Sequence, residues 1–217
     1  KMKTLSLTQE FLLCTLNKKG KYSSMDMEKG VCLVAGGILE LLIEDVVRLE
    51  GKKISTIASL PEEKEYLRTL YEQIRKKQPV KLESIVEYFS FNLSNKNLYV
   101  LIGDIGDTLE KDGCVRKETG GLFGKTTLYI PNPRAKDAVI QNIRAELLED
   151  GEISEDIVAL TALLNKSGDL SRYFSAYEKK DLKARLKNIN NSSENQIVNQ
   201  MVEYIENLFA LIVVAAT

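Results

Sequence analysis

The sequence has 217 residues, 44% hydrophobic and 28% charged, and its 30 basic and 31 acidic side chains give a formal net charge of -1. This composition is typical of a globular protein that can bury a sizeable core. Because the net charge is so small, nucleic acid or anionic lipid can bind only at a local basic patch. The chain has no histidine, which excludes Ser-His-Asp triads, Cys-His pairs and imidazole metal sites.

Cysteine usage and the apolar runs predict where the protein resides. Cys14, Cys32 and Cys114 are far apart in sequence, and we expect reduced, unreactive thiols in a cytoplasmic protein. The first residues, KMKTLSLTQEFLL, lack the apolar region and cleavage site of a signal peptide. The run VCLVAGGILELLI has only 13 residues and contains Glu40, whereas a bilayer span needs about 20 apolar residues. We therefore predict at most peripheral membrane association.

Helix and strand signals follow one another along the first half of the chain. The capping-box pattern Ser6-x-x-Gln9 predicts a first helix that ends at Gly20. Segment 27–43 is apolar nearly all round and predicts a second, buried helix, in which the pair Gly36-Gly37 indicates close approach by a neighbouring backbone. The next predicted elements are a hairpin turning near Gly51, a helix opened by Ser59-x-x-Glu62 and ended by Pro79, and a further element in KLESIVEYFSF.

The second half continues in the same way. NKNLYVLIGDIGDTLEKDG predicts two short helices or one helix bent at Gly103 and Gly106, and CVRKE and KTTLYIP predict two strands joined by TGGLFG. Four helices are predicted to follow: from the Asn132 cap and Pro133 to Gly151, from Ser154 to Gly168, from Arg172 to Asn188, and from Ser193-x-x-Gln196 to the end. We find no repeat or linker. The prediction is one mainly α domain over residues 1–217, with a buried central helix, surrounding amphipathic helices and a protruding β-hairpin.

Three patterns that could indicate function are better explained structurally. The hairpin, with Arg116, Lys117 and Lys125, could be the wing of a DNA-binding domain. However, the preceding helix carries acidic residues that would repel phosphate, so we favour a packing or self-association hairpin and expect no nucleic acid partner. These acids do not have the spacing of a calcium loop, and GGLFGK does not have that of a phosphate loop. We therefore expect no metal or cofactor, and interpret the acids as a solvated helix face: Asp104, Asp107, Glu110 and Asp112.

Two clusters of basic residues remain as candidates for binding anionic headgroups. Lys18, Lys19 and Lys21 lie near the predicted end of the first helix. The second cluster, near the end of the third helix, consists of Arg75, Lys76, Lys77 and Lys81. Basic residues near the end of a helix also stabilise it through the helix dipole, so a structural role stays open for both clusters. Beside an anionic membrane each basic residue contributes about 1 kcal/mol of attraction.

Four segments resemble, in the same order, segments of the Golgi phosphoprotein 3 family. They are LSLTQEFLLCTLNKKGKYS, VCLVAGGILELLI, EKDGCVRKE with its hairpin, and ENLFALIVVAAT. They match a TLxEExLLL-type start, a G-x-x-LxELxL helix and an AxxAVVAA-type carboxyl terminus, and the resemblance covers nearly the whole chain. The short amino terminus looks more like that of the prokaryotic branch.

The resemblance implies an α-helical domain with a buried central helix and no enzymatic activity. It also implies self-association through the hairpin, where this chain has Leu122, Phe123 and Lys125. Eukaryotic members of the family bind phosphatidylinositol 4-phosphate on Golgi membranes and act as adaptors that retain glycosyltransferases.

The headgroup pocket of the family uses an aromatic residue before the buried helix, a basic residue within it and two basic residues in a later LRxxRE-like stretch. By resemblance these positions hold Met25, Val34, Gly103 and Gly106, none of which can make a charge-assisted hydrogen bond to phosphate. The candidates for headgroup contact are therefore the basic residues of the first cluster and of the hairpin: Lys18, Lys19, Lys21, Arg116, Lys117 and Lys125.

Taken with the resemblance, the sequence predicts a non-enzymatic, peripheral membrane adaptor that binds anionic phospholipid headgroups and forms a homo-oligomer through its hairpin. The alternative is a soluble protein-interaction module that has lost the lipid site. An enzyme is not expected, because no acid-base or nucleophile constellation is present.

Overall fold

Helices make up most of the structure, and short antiparallel strands connect some of them. The structure, a computed structural model, describes residues 4–22, 27–91, 95–120, 126–149 and 153–189, together with 196, 199–200, 202–204 and 206–207. In chain order the elements are α1 (Leu7–Thr15), α2 (Met27–Ile43), β1 (Val47–Glu50), β2 (Lys53–Thr56), a 3-10 helix (Glu62–Leu67), α3 (Arg68–Lys77), β3 (Val80–Lys81), α4 (Leu82–Ser90), α5 (Lys96–Lys111), β4 (Val115–Gly120), β5 (Thr126–Pro131), α6 (Pro133–Leu148), α7 (Glu155–Lys166), a second 3-10 helix (Asp169–Arg172) and α8 (Ala176–Ile189). The predicted mainly α fold with a hairpin is confirmed.

Helix α2 is the apolar run that the sequence analysis singled out, and it lies in the hydrophobic core. Leu33 and Ile38 are completely buried, and the helix packs against α1, α4 and α7. A Cβ atom on Gly37 would lie 2.7 Å from Leu70 Cδ2, so the glycine makes room for a neighbouring side chain and not for the backbone that was predicted. The burial of many large apolar side chains, each contributing about 1.5–3 kcal/mol, makes this helix the main hydrophobic contact surface of the fold.

The one acidic side chain in the middle of α2, Glu40, is buried but fully paired. Its Oε2 accepts hydrogen bonds from Thr8 N (3.0 Å) and Thr8 Oγ1 (2.5 Å). Its Oε1 accepts from Lys64 Nζ (2.9 Å) and from the Tyr66 hydroxyl. Two donors for each oxygen offset the free energy that is lost when a carboxylate leaves water. These contacts explain how a carboxylate can lie in the core.

Two antiparallel sheets connect the helices. The first has the order β1-β2-β3, and its β1–β2 pairing, with Glu50 opposite Lys53, turns at Gly51 as predicted. The second is the β4–β5 hairpin, paired from Val115–Pro131 to Gly120–Thr126. Both strands of this hairpin contact α5, so its base is anchored on the helical part of the protein.

Several predicted boundaries were wrong, for identifiable reasons. Helix α1 ends at Thr15 and not at Gly20, since the Asn17 side chain accepts hydrogen bonds from the amides of the following turn. The third predicted helix does not open at Ser59: Pro61 is its N-cap, because a residue before proline disfavours helical geometry. That helix is also split into a 3-10 part and α3.

Three further boundaries in the second half also differ from the prediction. Helix α6 ends at Leu148. Helix α7 ends at Lys166. The helix predicted from Arg172 begins only at Ala176, because Ser175 and Glu178 form a capping box in which Ser175 N donates to Glu178 Oε2 (2.7 Å) and Glu178 N donates to Ser175 Oγ (3.2 Å). This Ser-x-x-Glu pattern was missed in the sequence.

Helix α5 is one continuous helix, although the sequence suggested a break or bend at its glycines. The glycines provide space on the helix surface for the Tyr129 ring, as described below. The predicted helix after Ser193 is described only at residues 196, 199–200, 202–204 and 206–207, all of which are helical. The carboxyl-terminal apolar run lies outside the described residues.

Candidate functional site

The lysine turn, residues Asn17 to Lys21, follows α1 and carries the first predicted basic cluster. Asn17 Oδ1 accepts hydrogen bonds from Lys19 N (2.8 Å) and Lys21 N (3.1 Å), which closes the turn. Lys18, Lys19 and Lys21 are all exposed. Their ammonium groups therefore face solvent, and a helix-capping role does not account for them.

The lysine turn is attached to the hairpin at Gly20. Tyr129 N donates to Gly20 O (3.1 Å), and a Cβ atom on Gly20 would lie 2.7 Å from the backbone of Tyr129. Gly20 also has a positive φ of 70°, a conformation that L side chains rarely adopt. Both observations explain why this position is a glycine. The contact places the lysine turn and the hairpin, the two predicted basic segments, side by side.

A cleft of about 1070 Å³ opens where the lysine turn, the base of the hairpin and the start of α6 meet. Lys18 and Arg116, which were predicted separately as headgroup contacts, both line this cleft. Lys136 from α6 and Arg172 from the second 3-10 helix line it too, and the sequence analysis missed both. No local sequence signal could have found them, because each is an isolated basic residue far in sequence from the other lining residues.

Lys136 and Arg172 also contact the carboxyl-terminal end of α1. Lys136 Nζ donates to Leu16 O (2.8 Å), and Arg172 Nη1 donates to Thr15 O (3.3 Å). The Tyr173 hydroxyl donates to Cys14 O. These side chains satisfy carbonyl groups that a helix leaves without a partner at its end, so the cleft is built directly on the end of α1.

The two basic residues at the start of β4 have different surroundings. Arg116 is exposed and pairs with Glu118 (2.6 Å). Lys117 instead pairs with Asp107 (2.7 Å) and lies 5.9 Å from the centre of the Tyr129 ring. The hydrogen bond to Asp107 raises the pKa of Lys117. Lys117 does not line the cleft described above, so the structure separates these two neighbours.

The acidic residues of α5 are only partly the solvated face that was expected. Thr69 Oγ1 donates to Asp104 Oδ2 (2.9 Å), and Asp107 Oδ1 accepts from Lys117 Nζ and Tyr129 OH, both at 2.7 Å. Partial burial tends to raise the pKa of Asp107, but these two hydrogen bonds outweigh it and the pKa is lowered. Among the described residues no cluster of cysteine or acidic side chains could hold a metal ion.

Among the described positions that match the headgroup pocket of the family, Val34 and Gly106 are covered by neighbouring protein atoms. Val34 is completely buried. A Cβ atom on Gly106 would lie 2.6 Å from the Tyr129 ring, and the Tyr129 hydroxyl donates to Gly103 O (3.2 Å). The ring therefore covers this part of α5, and a headgroup could reach Gly106 only if Tyr129 moved away.

Replacing Tyr129 by phenylalanine tests whether its hydroxyl stabilises the contact between the hairpin and α5. Burial, followed by the bond to Asp107, raises the pKa of Tyr129, so the group is a neutral donor at pH 7. The variant loses the bond to Asp107, and we expect the free energy of unfolding to fall by about 1 kcal/mol in urea denaturation. Tyr177→Phe, at a side chain that is 75% exposed, is the control and should change it by less than about 0.5 kcal/mol. Equal effects of the two variants would contradict the prediction.

Four predicted residues cannot be placed. The hairpin residues Leu122, Phe123 and Lys125, predicted for self-association or headgroup contact, lie outside the described residues, as does Met25. The self-association of the hairpin stays a prediction. The three cysteines, in contrast, are all described and buried, and none of them forms a disulfide bond.

The fold and the cleft together define a class: a mainly helical protein with a buried central helix, a hairpin anchored on α5 and a basic cleft beside that hairpin. In the part of the chain that the structure describes, no helix is both long and apolar enough to span a membrane. The chain belongs to the Golgi phosphoprotein 3 (GPP34) family, whose model matches residues 7–206. No curated protein matches the sequence.

Proposed function

We propose that this protein is a non-enzymatic adaptor that attaches peripherally to membranes by binding anionic phospholipid headgroups. The observation that carries the proposal is the attachment of the lysine turn to the hairpin at Gly20. Three exposed lysines and Arg116 lie in segments held together by that contact, although they are separated by about a hundred residues in sequence. Family membership supports the same function.

The proposed binding is electrostatic and does not use the family's pocket positions. Exposed basic side chains attract an anionic surface by about 1 kcal/mol each near the headgroups, and salt screens this attraction within about 8–10 Å. The residues at the matching positions, Val34, Gly103 and Gly106, provide no charge. Binding should therefore depend on the charge density of the membrane and weaken as salt is added.

Sedimentation with vesicles tests the proposal. The variant Lys18→Glu, Lys19→Glu, Lys21→Glu reverses the charge of the lysine turn. We expect its affinity for vesicles of phosphatidylcholine with phosphatidylserine to fall at least tenfold at low salt, because three attractive contributions become repulsive. The wild-type protein should bind pure phosphatidylcholine poorly and should dissociate from anionic vesicles as salt rises.

The second basic cluster supplies a matched control. Lys76, Lys77 and Lys81 are also exposed, but they lie at the end of α3 and on β3. Reversing these three charges alters the net charge of the protein by the same amount and should weaken vesicle binding much less. If both triple variants lost the same amount of vesicle affinity, the attraction would depend on net charge alone. That result would contradict a binding surface at the lysine turn. No binding to any vesicle would favour the soluble protein-interaction module.

A further inference from the structure

We infer that the cleft beside the hairpin contains a discrete site for a phosphate monoester, formed on its inner wall by Lys136 and Arg172. The inference goes beyond the proposed function, because a small soluble phosphate ester can occupy such a site without any membrane. Either a lipid headgroup or a free metabolite can supply the ligand, and the shared chemistry is a compact, doubly charged anion with an organic substituent.

The first argument is the positive charge at Lys136. The side chain is partly buried, and its ammonium group donates to a neutral carbonyl, Leu16 O. No carboxylate lies within ion-pair distance of it among the described residues. Burial lowers the pKa of Lys136 and the nearby charge of Arg172 acts in the same direction, whereas the charges of Asp169 and Asp137 oppose the shift. A partly buried cation with no carboxylate in direct contact is stabilised when an anion binds beside it.

The second argument is that Arg172 shares its carboxylate partner. Asp169 Oδ1 lies 2.9 Å from Arg172 Nη1 and 3.4 Å from Lys29 Nζ. The side chains of Asp169 and Lys29 are 1% and 7% exposed, whereas that of Arg172 is 42% exposed. Both cations thus approach one carboxylate, and Arg172, the more exposed of the two, lines the cleft, where an anion can reach it.

The third argument is the size and lining of the cleft. Its volume of about 1070 Å³ is at the upper end of the range for small-molecule sites and exceeds what a bare phosphate ion needs. Leu16, Val115 and Ile130 provide apolar surface beside the basic groups. A lining that combines arginine and lysine with apolar side chains suits a phosphate ester better than an inorganic ion.

Replacing Asp137 should strengthen anion binding to the cleft, whereas replacing Lys136 should weaken it. Asp137 lies one residue after Lys136, is exposed, and is the acidic residue among the described residues that line the cleft. Its carboxylate repels a bound anion, so replacing it by asparagine should strengthen binding. Because Asp137 is exposed, this change should leave the fold intact, whereas a change at Lys136 also removes a hydrogen bond to α1.

Calorimetric titration with glycerol 3-phosphate at constant ionic strength tests the site, with Lys136→Gln, Asp137→Asn and the exposed control Lys77→Gln. We expect saturable binding to the wild-type protein, about tenfold weaker binding by Lys136→Gln, about threefold tighter binding by Asp137→Asn, and no change for the control. Absence of saturable binding to the wild-type protein would overturn the inference. It would also be overturned if the affinity of Asp137→Asn, confirmed as folded, equalled that of the wild type.

Vesicles identify the source of the ligand. If a lipid headgroup occupies the site, Asp137→Asn should increase binding to vesicles containing phosphatidic acid, a monoester, more than binding to vesicles containing phosphatidylglycerol, a diester. If a soluble ester occupies it, the variant should change binding to the two kinds of vesicle by the same factor, through the loss of one negative charge, while the affinity for glycerol 3-phosphate still rises. The double variant Lys19→Glu, Lys21→Glu separates the two proposals, because neither lysine lines the cleft, whereas Lys18 does. Weaker vesicle binding with unchanged glycerol 3-phosphate binding would support each proposal independently.

Discussion

Replacing Glu40 by glutamine is expected to lower the free energy of unfolding by about 3 kcal/mol, the largest effect predicted for a single substitution in this protein. The carboxylate accepts four hydrogen bonds, two at each oxygen. A glutamine side chain presents one NH2 group in place of an acceptor, so two of the four donors lose their partner. It also removes the negative charge opposite Lys64, whose pKa is raised because the attraction of Glu40 outweighs the effect of burial.

Glu44→Gln is the matched control for this experiment. Glu44 pairs with the same ammonium group at the same distance as Glu40, 2.9 Å, but its side chain is 44% exposed and that of Glu40 is 4% exposed. The control should lower the free energy of unfolding by less than about 1 kcal/mol, because exposed ion pairs usually contribute no more than that. Urea denaturation of both variants measures the difference. Equal destabilisation would mean that the contact with Lys64, and not the buried network with Thr8 and Tyr66, dominates.

Replacing Glu10 by glutamine should instead stabilise the protein, by about 2 kcal/mol at pH 8.5, because a pKa difference of one between the folded and unfolded protein corresponds to about 1.4 kcal/mol. Burial, followed by repulsion from Asp156, Glu146 and Glu40, raises the pKa of Glu10 from 4.5 to about 8. Converting the whole pKa difference, from 4.5 to about 8, into free energy would give a larger stabilisation. The expected value is smaller because the side chain is only partly buried and solvent screens the repulsion.

The effect of Glu10 has a definite dependence on pH. Between pH 4.5 and 8 the folded protein binds a proton at Glu10 that the unfolded chain has released, so this residue makes stability fall as pH rises. The difference between Glu10→Gln and the wild type should therefore be near zero at pH 4.5 and reach its full value above pH 8. Glu87→Gln, on an exposed part of α4, is the control variant. If the difference in free energy of unfolding between Glu10→Gln and the wild type stayed constant from about pH 5 to 9, the raised pKa of Glu10 would be contradicted.

The sequence predicted best those features that depend on a repeating pattern. The burial of α2 follows from its apolar composition, and the need for partners at Glu40 follows from the cost of an unpaired buried carboxylate. The identity of those partners could not be predicted, because Thr8, Lys64 and Tyr66 are ordinary polar residues on two other elements. Local patterns do not specify which side chains meet across a core.

The candidate site was predicted only in part, for a similar reason. Lys18 belongs to a cluster visible in the sequence, whereas Lys136 and Arg172 reach the cleft only through tertiary packing. The glycines of α5 were interpreted as a hinge, because glycine weakens a helix. Their role as space for the Tyr129 ring depends on a strand that comes more than 20 residues later.

The capping of α1 has a consequence for the order in which the protein can fold. The hydrogen bonds from Lys136, Arg172 and Tyr173 to the end of this helix join residues that are 120, 157 and 159 positions apart. During synthesis Lys136, Arg172 and Tyr173 leave the ribosome long after α1, so the end of this helix lacks these donors while the intervening chain is being made. Such distant contacts slow folding. The carboxyl-terminal end of α1 is thus completed only after α6 and the residues that follow α7 have been made.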